Sequence, residues 1–218
     1  MAAQTKTRFA RIDVFDDVSG PCAALALRDR ALKTALDAIG KPHIRRRDGG
    51  FAGLFRIIVE QQVSVPSAQA IWARCQARFD PLEPAFIVET GEAALRAAGL
   101  STPKARYVFA LASSLASGAF SLATPDLDDA AASEALQSVK GVGPWTAAIY
   151  LLFCEGRPDV WPPGDVALQY AYAAAQGREG KIDAAKLDAK AAKWGPWRGL
   201  AAHILWTYYA HLKGRTPI

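Results

Sequence analysis

The sequence predicts an all-α fold, and three observations predict it. Apolar residues recur at intervals of three and four through most of the 218-residue chain. No stretch sustains the apolar–polar alternation of a strand. Alanine, the strongest helix former, is abundant throughout.

The elements follow in order. Helical spacing covers 23–39, then breaks at Gly40-Lys41-Pro42. Phe51, Leu54, Phe55, Ile58, Val59 and Gln62 fall on one helical face, and this is one of the two clearest helices. Weaker patterns cover 66–79, up to the break at Asp80-Pro81, and then 91–98, 103–117, 129–139, 144–155, 166–175 and 184–193. The second clear helix carries Trp197, Leu200, Ala201, Ile204, Leu205, Tyr208 and Tyr209 on one face. There is no low-complexity tract and no repeat at solenoid spacing.

Composition narrows the classes. With 51% hydrophobic and 22% charged residues the chain can bury a core. A net charge of +5 gives a modest positive field that suits a polyanionic partner and equally an ordinary basic surface. Cys22, Cys75 and Cys154 stand far apart, without the spacing of a zinc or iron-sulfur site, and read as buried thiols in a reducing compartment. Met1 to Phe15 interleaves Lys6, Arg8, Arg11 and Asp13 and lacks the apolar core of a secretion signal. The longest apolar run, Ala147–Cys154, is far shorter than the roughly 20 residues of a membrane span. The expected location is therefore cytoplasmic, nucleoid-associated if the source is bacterial, with no membrane partner.

Two local features carry chemistry. Val139-Lys140-Gly141-Val142-Gly143-Pro144 joins two predicted helices. Glycine permits a tight turn and close backbone approach, and Pro144 suits the first position of a helix, where its missing N–H costs nothing. Such a turn aims unpaired amides outward at a helix N-terminus, a site for a phosphate; a plain helical hairpin uses the same residues. Pro162-Pro163-Gly164-Asp165 then delivers an acid to the start of another helix. Asp165 is a good N-cap, a role worth about 1 kcal/mol. A carboxylate held there is also fixed in direction and kept ionised, so capping and catalysis are compatible.

Leu136-Gln137-x-x-Lys140-Gly141-Val142-Gly143-x-Trp145-Thr146-Ala147, with Pro163-Gly164-Asp165 ending 22 residues beyond Gly143, resembles the helix-hairpin-helix/Gly-Pro-Asp (HhH-GPD) superfamily of DNA glycosylases. Ile57-Ile58-Val59-Glu60-Gln61-Gln62-Val63-Ser64, Gly99-Leu100-Ser101-x-x-Lys104-Ala105 and Trp194-x-Pro196-Trp197-Arg198 are similar to its 3-methyladenine DNA glycosylase II, or AlkA-like, branch. The resemblance spans about residues 45–210. It implies one glycosylase domain over 1–218, in two helical subdomains with the active-site cleft between them. Residues 45–130 would carry a wedge loop and 131–200 the hairpin and catalytic acid, with the terminal helices packing across. It implies the short form, without a separate N-terminal β-domain.

The resemblance also assigns roles. Asp165 is the catalytic carboxylate. Trp145 and Trp197 line the base pocket, whereas core packing suffices for Trp161 and Trp194. Where some relatives carry a pocket tyrosine this chain has Ile149, with Tyr150 adjacent. Gln61, Gln62 and Ser64 form the minor-groove loop, with Gln62 as the wedge, and Lys140, Gly141, Val142, Gly143, Thr146 and Lys104 approach DNA. Strand-nicking relatives attack the sugar with a lysine where this chain has Trp145, which implies hydrolysis by water without strand cleavage. No cofactor is required, neither zinc nor an iron-sulfur cluster, although a sodium or potassium ion on the carbonyls of Gln137, Val139 and Val142 is implied. The expected partner is duplex DNA with damaged bases, bound by a monomer. The run Lys41 to Arg47 reads as a solvated loop that could touch phosphates, and His43, His203 and His211 show no ligand or triad spacing. A non-catalytic damage-recognition protein and a glycosylase for deaminated purines are the alternatives.

Overall fold

A computed structural model describes residues 17–122, 124 and 126–217; Met1 to Phe15, where no secretion signal is expected, lie outside the described residues. Among the described residues there are eleven α-helices, one short 3-10 turn and no strand. No helix of the described residues is long and apolar enough to cross a membrane. The chain forms two compact units, Arg47–Cys154 and Met1–Arg46 with Glu155–Ile218.

The 47–154 unit contains α3 (Gly50–Glu60), α4 (Val65–Arg78), α5 (Pro84–Ala97), α6 (Thr102–Ala116), α7 (Asp129–Gln137) and α8 (Pro144–Phe153). Helix α3 packs against α4, α6 and α8, while α5 pairs with α6 and α7 with α8. Helix α8 buries every residue from Thr146 to Phe153, because its sequence is apolar on all sides. Phe55 of α3 is fully buried and meets Trp72 of α4 edge to face at 5.4 Å. Helix α5 breaks at Gly91, whose φ of +78° leaves the helical region, so the pattern over 91–98 marks only its second half.

The second unit contains α1 (Ser19–Arg28), α2 (Arg30–Ile39), α9 (Val166–Ala175), α10 (Ala184–Ala191), the 3-10 turn Ala192–Trp194 and α11 (Arg198–Leu212). The single helix expected over 23–39 is two. Asp29 is extended and its carboxylate accepts the Ala31 N–H at 2.8 Å, ending one helix and capping the next. The same carboxylate accepts from Tyr172 Oη at 2.9 Å and Trp194 Nε1 at 3.2 Å. Helix α11 was expected to bury one face, yet every residue from Gly199 to Tyr208 is buried. Helices α1, α2, α9 and the 3-10 turn all pack on it, so it has no solvent side over that length.

The division differs from the one expected near residue 130. The hairpin belongs with Gln61 and Gln62, since α8 packs on α3, whereas Asp165 belongs with the terminal segments, since α9 packs on α11 and α2. Cys22 and Cys75 are buried as expected, and burial pushes both thiols up to about 11. Cys154 is only half-buried.

Candidate active site and nucleic-acid interface

The hairpin joins α7 to α8. Gly141 has φ +91°, and a Cβ there would drive into the ring of Tyr107. Gly143 is the N-cap of α8, and a Cβ there would meet nothing within 4 Å. One glycine thus serves the turn and its packing, and the other leaves the approach to the helix end open. No side chain caps α8, and Pro144 occupies its first turn, the arrangement an anion site at a helix N-terminus requires. Lys140 and Gly143 are exposed and Val142 is buried. The carbonyls of Gln137, Val139 and Val142 are neutral hard oxygens of the kind an alkali cation takes, and Val139 O, which accepts the Val142 N–H at 3.0 Å, keeps one lone pair. Among the described residues no three His, Cys, Asp or Glu side chains gather as metal ligands.

The loop between α3 and α4 presents Gln62, Val63, Ser64 and Val65 to solvent, with Val63 38% and Val65 48% exposed. Gln62 has φ +53°, the only positive φ at a non-glycine among the described residues. A left-handed backbone at such a residue is strained and clusters at functional sites. Ser64 caps α4, its hydroxyl accepting the Ser67 N–H.

Three residues expected to touch DNA are turned inward. Gln61 Nε2 donates to Thr146 Oγ1 at 2.8 Å and to the Gly141 carbonyl at 3.3 Å, so the side chain ties the loop to the hairpin. Thr146 is buried, and its hydroxyl oxygen accepts that bond. Lys104 Nζ donates to the carbonyls of Val59 at 2.7 Å and Gln61 at 2.5 Å. It satisfies acceptors left over at the end of α3, and desolvation holds its pKa below the usual lysine value. Ile149 and Tyr150, expected at the base pocket, are each only 3% exposed. Tyr150 Oη accepts the Gly50 N–H at 3.0 Å and so secures the start of α3. Both are core residues because α8 is buried on all sides. Trp145 remains half-buried.

Asp165 stands at the N-terminus of α9, partly open to solvent. Its Oδ1 accepts the Leu168 N–H at 3.0 Å and the Trp206 Nε1–H at 3.3 Å. Gly164, at φ +72°, makes the turn that aims it, and the buried Gln169 donates to the Gly164 carbonyl at 3.0 Å. The preceding loop is pinned to the start of α11. Pro158 O accepts the Gly199 N–H at 2.7 Å, and Asp159 takes a two-pronged ion pair from Arg198 at 3.0 and 2.8 Å. Bidentate pairs of this kind fix direction as well as distance. The Arg45 guanidinium carbon lies 5.3 Å from the Trp206 ring centre, and the indole also meets His203 edge to face. Burial, aided by Arg45 and His43, pushes the His203 imidazole down to about 3, so it is neutral and part of the core. His43 and His211 are exposed.

Trp206 went unrecognised in the sequence, where it is one apolar residue of a periodic helix. A buried indole N–H requires an acceptor, and that requirement is the only available hint. Trp161 donates to Asp188 at 2.7 Å and meets the buried Trp194 edge to face, which is core packing as expected. Trp197 is half-buried at the start of α11. The expected solvated run from Lys41 to Arg47 is largely engaged: Arg45 covers Trp206, Arg46 lies against Gly156, and Arg47 pairs with Glu60 at 2.5 Å.

A glycine-bracketed turn between two helices, the second uncapped, is a helix-hairpin-helix arrangement, followed here by an acid that caps a later helix. Residues 55–196 match the family of HhH-GPD superfamily base excision DNA repair proteins, and the chain belongs to it. The chain is 27% identical over 191 residues to YfjP of Bacillus subtilis, whose name assigns it to the DNA-3-methyladenine glycosylases; the match covers 82% of this chain and 67% of that protein. A DNA-3-methyladenine glycosidase from Bacillus halodurans has the same fold, with a TM-score of 0.75, 27% identity and 94% of each chain covered. The Schizosaccharomyces pombe 3-methyladenine DNA glycosylase Mag1, solved with abasic DNA, shares the fold at a TM-score of 0.76 and 22% identity, over 91% of this chain and all of that one.

Proposed function

We propose that the chain is a monofunctional DNA glycosylase that flips alkylated purines of the 3-methyladenine and 7-methylguanine type out of duplex DNA and hydrolyses their glycosidic bond. The observation that carries this reading is Asp165, held in one direction by the Leu168 amide and the Trp206 indole while partly open to solvent. A purine alkylated at a ring nitrogen is cationic and leaves with little acid assistance. The sugar is what needs help. As the C1′–N bond stretches, positive charge grows on the sugar, and a preorganised carboxylate stabilises it. Water oxygen bonds to C1′, the electron pair of the broken bond leaves with the base and neutralises it, and the water gives up a proton.

The uncapped start of α8 and the exposed Lys140 and Gly143 would hold backbone phosphate. Gln62 would fill the gap left by the flipped base, whose extrusion costs a few kcal/mol, less at damaged pairs. An alkali ion on the carbonyls of Gln137, Val139 and Val142 would add positive charge beside that phosphate. The family resemblance would have Trp145 and Trp197, both half-buried, stack on a cationic base, an attraction worth about 2 kcal/mol when desolvated. Because Trp145 stands where strand-nicking relatives carry their lysine, the product is an intact abasic strand. The enzyme is expected to work as a monomer.

The test is release of bases from methylated duplex DNA by wild type and Asp165→Asn. Asparagine preserves the cap, so release should fall about 10²- to 10³-fold, the range for losing one preorganised electrostatic group, with the melting temperature nearly unchanged. Undiminished release by Asp165→Asn, or strand cleavage without added alkali, would sink the mechanism.

A further inference from the structure

We infer that Lys104 is a positioning residue: together with Gln61 it sets the left-handed backbone of Gln62 before DNA arrives, and it is not a phosphate contact. The inference rests on the reading of Gln62 as the wedge. The Lys104 ammonium is shared between the carbonyls of Val59 and Gln61, at 2.7 and 2.5 Å, which clamps the main chain on the residue just before Gln62. The side chain of that same residue is clamped from the other direction, by Thr146 Oγ1 at 2.8 Å and the Gly141 carbonyl at 3.3 Å. Gln61 N–H bonds Ile58 O at 3.3 Å, which tightens the last turn of α3. Gln61 is therefore held through its N–H, its carbonyl and its side chain, and the chain leaves this fixed point at the next residue. Gln62 turns there at φ +53°.

Apolar packing does not supply this constraint. A cavity of about 280 Å³ lies against the loop, lined by Val59, Gln61, Gln62, Ile71, Leu100 and Lys104, so the loop is partly unsupported by side chains. A cation bonded to the carbonyls at a helix C-terminus also satisfies the electrostatics there, and burial lowers the lysine's pKa without separating it from its acceptors. Two of its three donors are already used within the protein.

The test compares wild type, Lys104→Met, Lys104→Arg and Lys140→Met. In the DNA-free protein, Lys104→Met should speed amide hydrogen exchange at residues 61–64 at least about tenfold while leaving α7 and α8 unchanged, with part of the protection restored by Lys104→Arg. Binding is measured against salt with duplexes that do or do not contain a tetrahydrofuran abasic analogue. Lys104→Met should lose about tenfold of the discrimination between them and keep the slope of log K against log salt, whereas Lys140→Met should lower that slope by about 1. Unchanged exchange at 61–64, or a slope lowered by about 1 in Lys104→Met, overturns the inference, as does faster exchange spread evenly over the 47–154 unit. The exchange result stands without any DNA activity, so wild-type protein that ignores the abasic duplex would count against the wedge reading alone.

Discussion

The two compact units hold their functional groups by opposite means. In the 47–154 unit the backbone is the specified object: the turn at Gly141, the uncapped start of α8 and the left-handed Gln62, with Lys104 and Gln61 bonded to carbonyls. In the other unit a side chain is the specified object, and other side chains hold it: Trp206 on Asp165, Arg45 over Trp206, Arg198 on Asp159. On the proposed function, the difference matches what each group would meet. A phosphate or a gap in a base stack is met by shape and amides wherever the sequence around it varies, whereas a developing charge on one sugar carbon needs a carboxylate of fixed direction.

If that contrast is right, backbone substitutions should damage the first unit and side-chain substitutions the second. The largest effect is expected from Gly141→Ala. Its methyl would strike Tyr107 at a φ that disfavours alanine, and chemical denaturation should show a loss of at least about 2 kcal/mol, against little change for Gly143→Ala, whose cost should appear in DNA affinity. Equal stability losses at the two glycines would erase the distinction drawn between them.

Comparable in size is an acid sensitivity carried by His203 in the second unit, which holds all three histidines of the chain. Unfolded His203 takes a proton near pH 6.5, but the folded imidazole resists until about 3. Between those values the unfolded state binds the extra proton, so stability falls as pH falls, by up to about 1.4 kcal/mol per pH unit. Subtracting the pH profile of His203→Gln from that of wild type should isolate this component, and identical slopes from pH 6.5 down to 4 would remove it.

Trp206→Phe should come third. It keeps a ring under Arg45 but deletes the N–H that steers Asp165, so turnover of alkylated DNA should drop about tenfold, the worth of one such hydrogen bond, with substrate affinity held. A change in affinity alone would make Trp206 a pocket wall and not a steering group. The smallest effect is on stability in Gln62→Gly. Glycine relieves the left-handed strain, which should raise stability by up to about 1 kcal/mol while discrimination for abasic DNA declines. A protein that loses both would show that Gln62 is a packing residue.

Much of this was legible in the sequence. The hairpin turn and the Asp165 cap were read correctly in form because both are local: glycine dihedrals, a proline at a helix start and an acid at an N-cap need only neighbouring residues. The loop between α3 and α4 was read in position but not in anatomy. Gln61 and Lys104 are polar residues beside a predicted DNA-binding turn, and nothing in their spacing tells whether they face out or in. The signal that could have told is the set of carbonyls that every helix end leaves unsatisfied, which α3 must bond to something. The burial of Ile149 and Tyr150 was missed for a related reason: a helix apolar on all sides has no face that periodicity can single out as a pocket.

By itself, then, the sequence determined the helical class, the position of most helices and the chemistry of the two turns, since all of these arise from interactions within about one helical turn. Only the tertiary structure decided which groups meet. Trp206 reaches Asp165 from 41 residues away and Lys104 reaches α3 from 43 and 45, across helix packings that set side-chain direction at the level of a single hydrogen bond. Periodicity names the buried face of a helix, but the partner of each polar atom on it depends on how a distant helix is rotated about its own axis.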